Sequence, residues 1–206
     1  MKEIYEGYIK FRSEWVKKDI KLMHFSELNH WRDIFYRLGL IGAYKDGIGF
    51  GNVSVRVHNT KQFIISGTDT GKLKKLTVNH YTEVTGFDID DNSLRCEGPI
   101  NASSESLTHA AVYSSDELVN AVFHVHSPEM WKKLKKTMPA TAKDVAYGTP
   151  EMAHEVMRLF KTEQVKEKKL FLMIGHKDGV VGFGKDLYEA GNVILKYYMM
   201  IMHGKG

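Results

Sequence analysis

Between Asn120 and Pro128 the chain reads Asn-Ala-Val-Phe-His-Val-His-Ser-Pro, two histidines set inside an otherwise apolar run that closes on a turn. Such a run, bounded by turn residues, reads as a buried strand. Alternate side chains along a strand share a face, so His124 and His126 point to the same side, close enough to hold one ion. Imidazole is the commonest metal-binding side chain, and catalytic zinc sites take three protein ligands while leaving a position open. The fold therefore has to bury this strand and bring a third donor to it.

The rest of the sequence supplies layers that could do so. Ile4, Tyr8, Phe11 and Trp15 recur at three- and four-residue intervals, which predicts an amphipathic helix over 3–18 and a helical N-terminal extension over 1–25. A second helix is expected from Ser26 to Tyr36, stopped near Gly39 and Gly42. Short β-like runs follow at Val53 to His58, Gln62 to Ser66, Tyr81 to Asp88 and Ser93 to Glu97, with Asp90-Asp91-Asn92 as a hairpin turn. Helices are expected at Ser103 to Ser114, Pro128 to Lys136, Thr149-Pro150-Glu151 to Phe160 and Lys185 to Met202, and strands at Lys169 to Ile174 and Gly179 to Gly184. Strands occur both in hairpins and between helices. This predicts one α/β (α+β) domain over 1–206, a single three-layer unit whose mostly antiparallel central sheet is flanked by helices.

Composition removes several function classes. A chain of 206 residues, 43% hydrophobic and 26% charged, has the make-up of an ordinary globular domain. Its formal charge of +4 is diffuse, and the densest basic run, Trp131 to Lys136, carries no nucleic-acid motif, so a solvated helix face is expected and no nucleic-acid partner. Cys96, the single cysteine, excludes an internal disulfide and fits a reducing compartment. No apolar run reaches the ~18 residues of a membrane span, and Lys196 interrupts the best candidate, Val193 to Met202. The start carries acid early and lacks an apolar signal core, so a cytoplasmic protein without a membrane partner is expected.

A third imidazole follows the strand Leu170 to Ile174, in Gly175-His176-Lys177-Asp178-Gly179, where a glycine-flanked turn gives His176 freedom to point into a cleft. The other seven histidines read as surface or core residues, although His109, four positions after Glu105, shares that residue's helix face and could support it. Glu105 itself sits in Asn101-Ala102-Ser103-Ser104-Glu105-Ser106, where small hydroxyl residues precede an apolar-periodic run. That pattern marks a helix start, whose free N–H groups and hydroxyls suit an anion and keep a nearby carboxylate ionised. Two further loops, Gly47 to Arg56 and Ser66 to Leu73, have glycines that let backbone amides approach a ligand. Each of these features alone has an ordinary structural explanation. Their significance is joint.

Gly51-Asn52-Val53-Ser54, the Ser66-Gly67 loop, Ser103-Ser104-Glu105, His124-Val125-His126 and His176 occur in an order that resembles the class II aldolase/adducin family, over residues 30 to 200 or so. The resemblance implies that His124, His126 and His176 bind zinc, or another divalent transition metal, and that Glu105 is the acid/base. It implies that Gly51, Asn52, Ser66, Gly67, Ser103 and Ser104 hold the phosphate of a small phosphorylated sugar. It also implies a class II aldolase/adducin-like fold, a homotetramer with sites at subunit contacts, and lyase chemistry like that of fuculose-phosphate aldolase. A metal held by three imidazoles acts as a Lewis acid on a hydroxyketone and stabilises the enediolate left when a proton is removed.

The metal site alone leaves three activities open: aldol cleavage, dehydration of a ketose phosphate, and 4-epimerisation of a pentulose phosphate. A non-catalytic adducin-like module is the alternative of another class, disfavoured by retention of the three histidines and Glu105. The loop Ser66 to Leu73 resembles that of methylthioribulose-phosphate dehydratase, and the tyrosine proton donor of fuculose-type aldolases has no direct match. Lys143 and Tyr147 are the nearest candidates for that role, with a residue of a neighbouring subunit as the third.

Overall fold

The computed structural model describes residues 8–22, 24–58 and 60–204. In chain order its elements are β1 (Arg12–Lys17), α1 (Phe25–Arg37), β2 (Gly42–Ala43), β3 (Gly49–Phe50), β4 (Asn52–Arg56), β5 (Phe63–Ser66), β6 (Tyr81–Asp88), β7 (Ser93–Gly98), α2 (Ser106–Ser115), β8 (Ala121–His126), α3 (Pro128–Leu134), α4 (Pro150–Phe160), α5 (Glu163–Lys168), β9 (Leu170–Met173), β10 (Gly179–Gly184) and α6 (Leu187–Met202). Eight strands form one sheet in the order β1-β7-β6-β5-β4-β8-β10-β9, while β2 and β3 pair separately. Only the β1–β7 pairing in the large sheet is parallel.

Alternation along the strands sorts their side chains into two cores. Ile65, Val122, Phe171 and Val181 face a layer made by α2, α4 and α5. Their neighbours Ile64, Phe123, Leu172 and Val180 face α1, α3 and α6. Every residue of β8 is buried, as a strand covered on both faces requires. Three helices begin on side-chain caps: Ser127 accepts from Met130 N, Thr149 from Met152 N and Asp186 from Glu189 N. Pro128 and Pro150 stand in the first turns, where the missing N–H costs nothing. Among the described residues no helix is long and apolar enough to cross a membrane.

The N-terminal helix expected over 3–18 is not what forms. Residues Arg12–Lys17 are strand β1, paired from Arg12 with Ser93 to Lys17 with Gly98, and residues 1–7 of the expected extension lie outside the described residues. Phe11 is buried, but Trp15 stays substantially exposed, with its Nε1 donating to Gly98 O at 2.9 Å. The helical spacing of aromatic residues was thus incidental. The open edge of β7 offers backbone partners to this segment, and a strand uses them. The small strands β2 and β3 and helix α5 also had no clear signal in the sequence.

One buried charge organises a loop that matters below. Arg32 on α1 is 1% exposed, and its guanidinium donates to Thr70 O at 3.2 Å, Gly71 O at 3.1 Å, Leu73 O and Lys74 O at 3.3 Å. A planar fork with five donors suits this row of carbonyls. Arg32→Met would leave those carbonyls unsatisfied under α1, and the expected loss is about 2–4 kcal/mol of unfolding free energy in a urea titration. Unchanged stability would contradict this account of the loop.

Candidate metal centre

Strand β8 lies between β4 and β10, with His124 opposite Asn52 on one side and Val181 on the other, and His126 opposite Gly179. His126 N donates to Leu40 O at 2.9 Å, so the strand end is held on a third side. The turn between β9 and β10 carries His176, whose N–H donates to Met173 O at 3.2 Å while its carbonyl accepts from Gly179 N at 3.0 Å. Ser127 N donates to Asp178 O at 2.9 Å, which ties this turn to the end of β8. Asp178 takes a left-handed conformation, φ 66°, to close the turn. Gly179 leaves the room: a Cβ there would stand 2.9 Å from His176 Cδ2 and 3.3 Å from His124 Nε2.

The three imidazoles converge. One ligand atom from each of His124, His126 and His176 lies within 4.8 Å of the others, and none of the rings is more than 5% exposed. His126 Nε2 and His176 Nε2 are 3.1 Å apart. Tetrahedral zinc with bonds of 2.0–2.1 Å needs donor nitrogens about 3.3 Å apart, so the rings already stand near ligating separation. His124 Nε2 is buried with no hydrogen-bond partner among the described residues, as is Asn52 Oδ1. An orphaned nitrogen in a buried cluster of three imidazoles fits a cation of the transition-metal class. The Tyr44 hydroxyl lies 2.8 Å from His126 Nδ1, an outer-shell partner of the kind that fixes a ligating ring's tautomer. Nothing in the sequence around Tyr44 signalled this contact.

Glu105 meets the cluster from below. Its carboxylate is 2% exposed, contacts His124 Nδ1, and lies 3.2 Å from His176 Nε2. It is the N-cap residue of α2, with φ −105° and ψ 10°, and Ser103 Oγ accepts its N–H at 3.4 Å. A carboxylate this deep requires positive charge beside it. One turn on, His109 is wholly buried; its Nδ1 lies 2.7 Å from Ser54 Oγ, which lies 2.7 Å from Tyr113 Oη. Burial first, and then the neighbouring His124, push the His109 pKa down to about 3, against the pull of Glu105, so this ring is neutral.

Three loops close a narrow cleft against Glu105. Gly51, Asn52, Gly67, Ser103 and Ser104 line it together with Asp69 and Thr70. The loops are joined by a bridge between Gly67 and Ala102 and by Thr68 N donating to Asn101 O at 3.0 Å. Gly51 has φ 80°, and a Cβ there would strike Ile41 at 2.7 Å. Ser66 is not among the lining residues: buried at the end of β5, its hydroxyl instead accepts Val53 N at 3.2 Å. Asp69 and Thr70 were not singled out from sequence, although their loop was. Of the two proton-donor candidates, Lys143 is exposed, whereas the Tyr147 ring is buried 4.7 Å from the His176 ring.

Comparison with known proteins agrees with this architecture. A family model described as the class II aldolase and adducin N-terminal domain matches residues 43–197. Among solved structures, YgbL from Escherichia coli, described in terms of aldolase, epimerase and decarboxylase activity, superposes with a TM-score of 0.63 at 19% identity, over 87% of this chain and 89% of that one. An L-fuculose 1-phosphate aldolase gives a TM-score of 0.63 at 17% identity, over 87% and 85%. A sugar-phosphate aldolase from Thermotoga maritima gives 0.56 at 17% identity, over 87% and 95%. At these identities the likeness establishes the fold. No curated protein sequence matches the chain.

The depressed pKa of His109 has a stability consequence. The unfolded chain takes up this proton near the ordinary value of 6.5, while the folded protein refuses it until about 3. The contribution is therefore complete above about pH 6.5 and is lost as pH falls from there toward 3. Urea midpoints of metal-free protein should drop across that window, and His109→Gln should flatten the slope. A variant with the parental slope would show that His109 is not the neutral buried group described.

Proposed function

Because the chain belongs to the class II aldolase and adducin N-terminal domain family, we propose that it is a zinc-dependent lyase of the aldolase type acting on a small phosphorylated ketose. The observation that carries this reading is the buried meeting of three imidazoles and one carboxylate beside a cleft lined by hydroxyls and glycine amides. A chain serving only as a structural module would have no use for so costly a cluster.

In this reading His124, His126 and His176 hold the ion, which would supply Lewis acidity toward the oxygens of a hydroxyketone. Zinc is the leading candidate because an all-imidazole set suits it, though the same donors accept other divalent transition ions. Glu105 takes the proton from the carbon beside the carbonyl of the smaller ketone in the condensation direction and returns it to that carbon after the carbon–carbon bond breaks in cleavage. It is held at the helix start, where an ionised carboxylate is favoured. Ser103, Ser104, Gly51, Asn52 and Gly67 bind the remote phosphate and so fix which carbon faces Glu105. Tyr147, packed on His176, is better placed than exposed Lys143 to serve the departing fragment. A cytoplasmic homotetramer belongs to the same proposal, and the apolar residues that α6 leaves exposed, Tyr188, Met199, Met200 and Met202, would be covered in such an assembly.

Two measurements test the reaction. Glu105→Gln should keep one metal ion per chain while slowing exchange of the carbon-bound protons of dihydroxyacetone phosphate by roughly a hundredfold or more. Exchange at the parental rate would remove Glu105 from the role of base. Release of dihydroxyacetone phosphate from ketose phosphates is the expected product signal. Loss of water from the same compounds would point to a dehydratase instead, and inversion at carbon 4 to an epimerase.

A further inference from the structure

The metal centre has a contact from outside the family-matched region, which begins at residue 43. The segment leading into β1 brings Lys10 against Tyr147. Lys10 Nζ donates to Tyr147 O at 2.7 Å and stands 3.6 Å over the centroid of the Tyr147 ring. That ring in turn packs at 4.7 Å on the ring of His176, the ligand candidate carried by a turn rather than a strand. Close approach is built in. At Gly148, φ 66°, a Cβ would lie 3.0 Å from Ser104 O and 3.7 Å from Lys10 Cδ.

The strap is anchored on both sides of this contact. Asn92 Nδ2 donates to Lys10 O at 3.0 Å, and Ser13 Oγ donates to Asn101 Oδ1 at 2.7 Å, just ahead of Ser103, Ser104 and Glu105. β1 then runs parallel to β7. A half-buried ammonium is costly to desolvate, and here burial lowers the pKa of Lys10 while the charge of Glu105 raises it. A carbonyl, a ring face and a nearby carboxylate offset part of that cost, and their positions give the ammonium a defined seat. A cation seated on a ring face also fixes the plane of that ring.

We propose that Lys10 is a positioning residue of the metal centre: its charge pins Tyr147 against His176 and so holds the third imidazole in ligating orientation. This rests on the reading of His124, His126 and His176 as a metal site. Packing of the aliphatic stem alone would be a different role, and two substitutions separate the two. Lys10→Met keeps the stem and removes the charge, while Lys10→Arg keeps the charge and its liking for a ring face.

The test is competition for zinc between the purified full chain and a chromophoric chelator, with thermal midpoints measured alongside. Lys10→Met should bind zinc about tenfold more weakly, the scale expected for loss of an outer-shell partner, and Lys10→Arg should restore most of the affinity. In a Tyr147→Leu background, Lys10→Met should have no further effect, because the lysine acts through that ring. Parental affinity in Lys10→Met, an Arg variant as weak as the Met variant, or additive losses in the double variant would each overturn the proposal. If Lys10→Met failed to fold, Lys10→Gln, which also removes the charge, should weaken zinc binding by the same factor as Tyr147→Leu, and parental affinity in either variant would overturn the proposal. A parental chain that rejects zinc would instead sink the metal reading itself, a result distinguishable from failure of Lys10 alone.

Discussion

Burial of β8 between β4 and β10 is the constraint on which everything else depends. Two ladders and two helix layers fix the strand, so His124 and His126 have no freedom to turn outward. The same register sets Asn52 opposite His124, and it sets Gly179 opposite His126. Through Gly179 the turn bearing His176 is placed over the two rings. Residues 50 positions apart in sequence therefore reach one point because a strand pairing brings them there, and the glycine in that pairing leaves them space.

The cluster is expensive in a metal-free chain. Two imidazoles face each other through their Nε2 atoms, a carboxylate is desolvated beside them, and His124 Nε2 and Asn52 Oδ1 lack partners among the described residues. Groups of this kind persist when the surrounding structure over-determines them and a ligand balances them. The scaffold does over-determine them. Arg32 ties the 70–74 carbonyls to α1, His109 is locked by Ser54 and Tyr113 behind Glu105, and the β1 strap closes over Tyr147. Binding of a divalent ion would supply the missing positive charge and so add to folding stability.

Much of this arrangement is written locally in the sequence, and some is not. Period-two alternation in a fully apolar strand is a local signal, and it gave both the face and the partnership of His124 and His126. The glycines around His176 and the hydroxyls before Glu105 are likewise local, since they describe turns and a helix start. β1 was misread because a spacing of three and four among Phe11, Trp15 and their neighbours mimics a helix, whereas its strand state comes from the edge of β7, more than seventy residues away. The turn of the Ser66 hydroxyl onto Val53 N was not legible, because sequence places a residue near a cleft but does not say which way its hydroxyl points. Tyr44 and Lys10 act across 82 and 137 positions, and no local pattern carries contacts of that reach.

X-ray absorption at the zinc edge tests the central claim most directly. Protein loaded with one equivalent of zinc should show a first shell of nitrogen and oxygen at about 2.0–2.1 Å, with the outer-shell scattering of three imidazole rings. A chain that takes up no zinc, or a bound ion whose spectrum carries fewer than three imidazoles, would contradict a centre built from His124, His126 and His176.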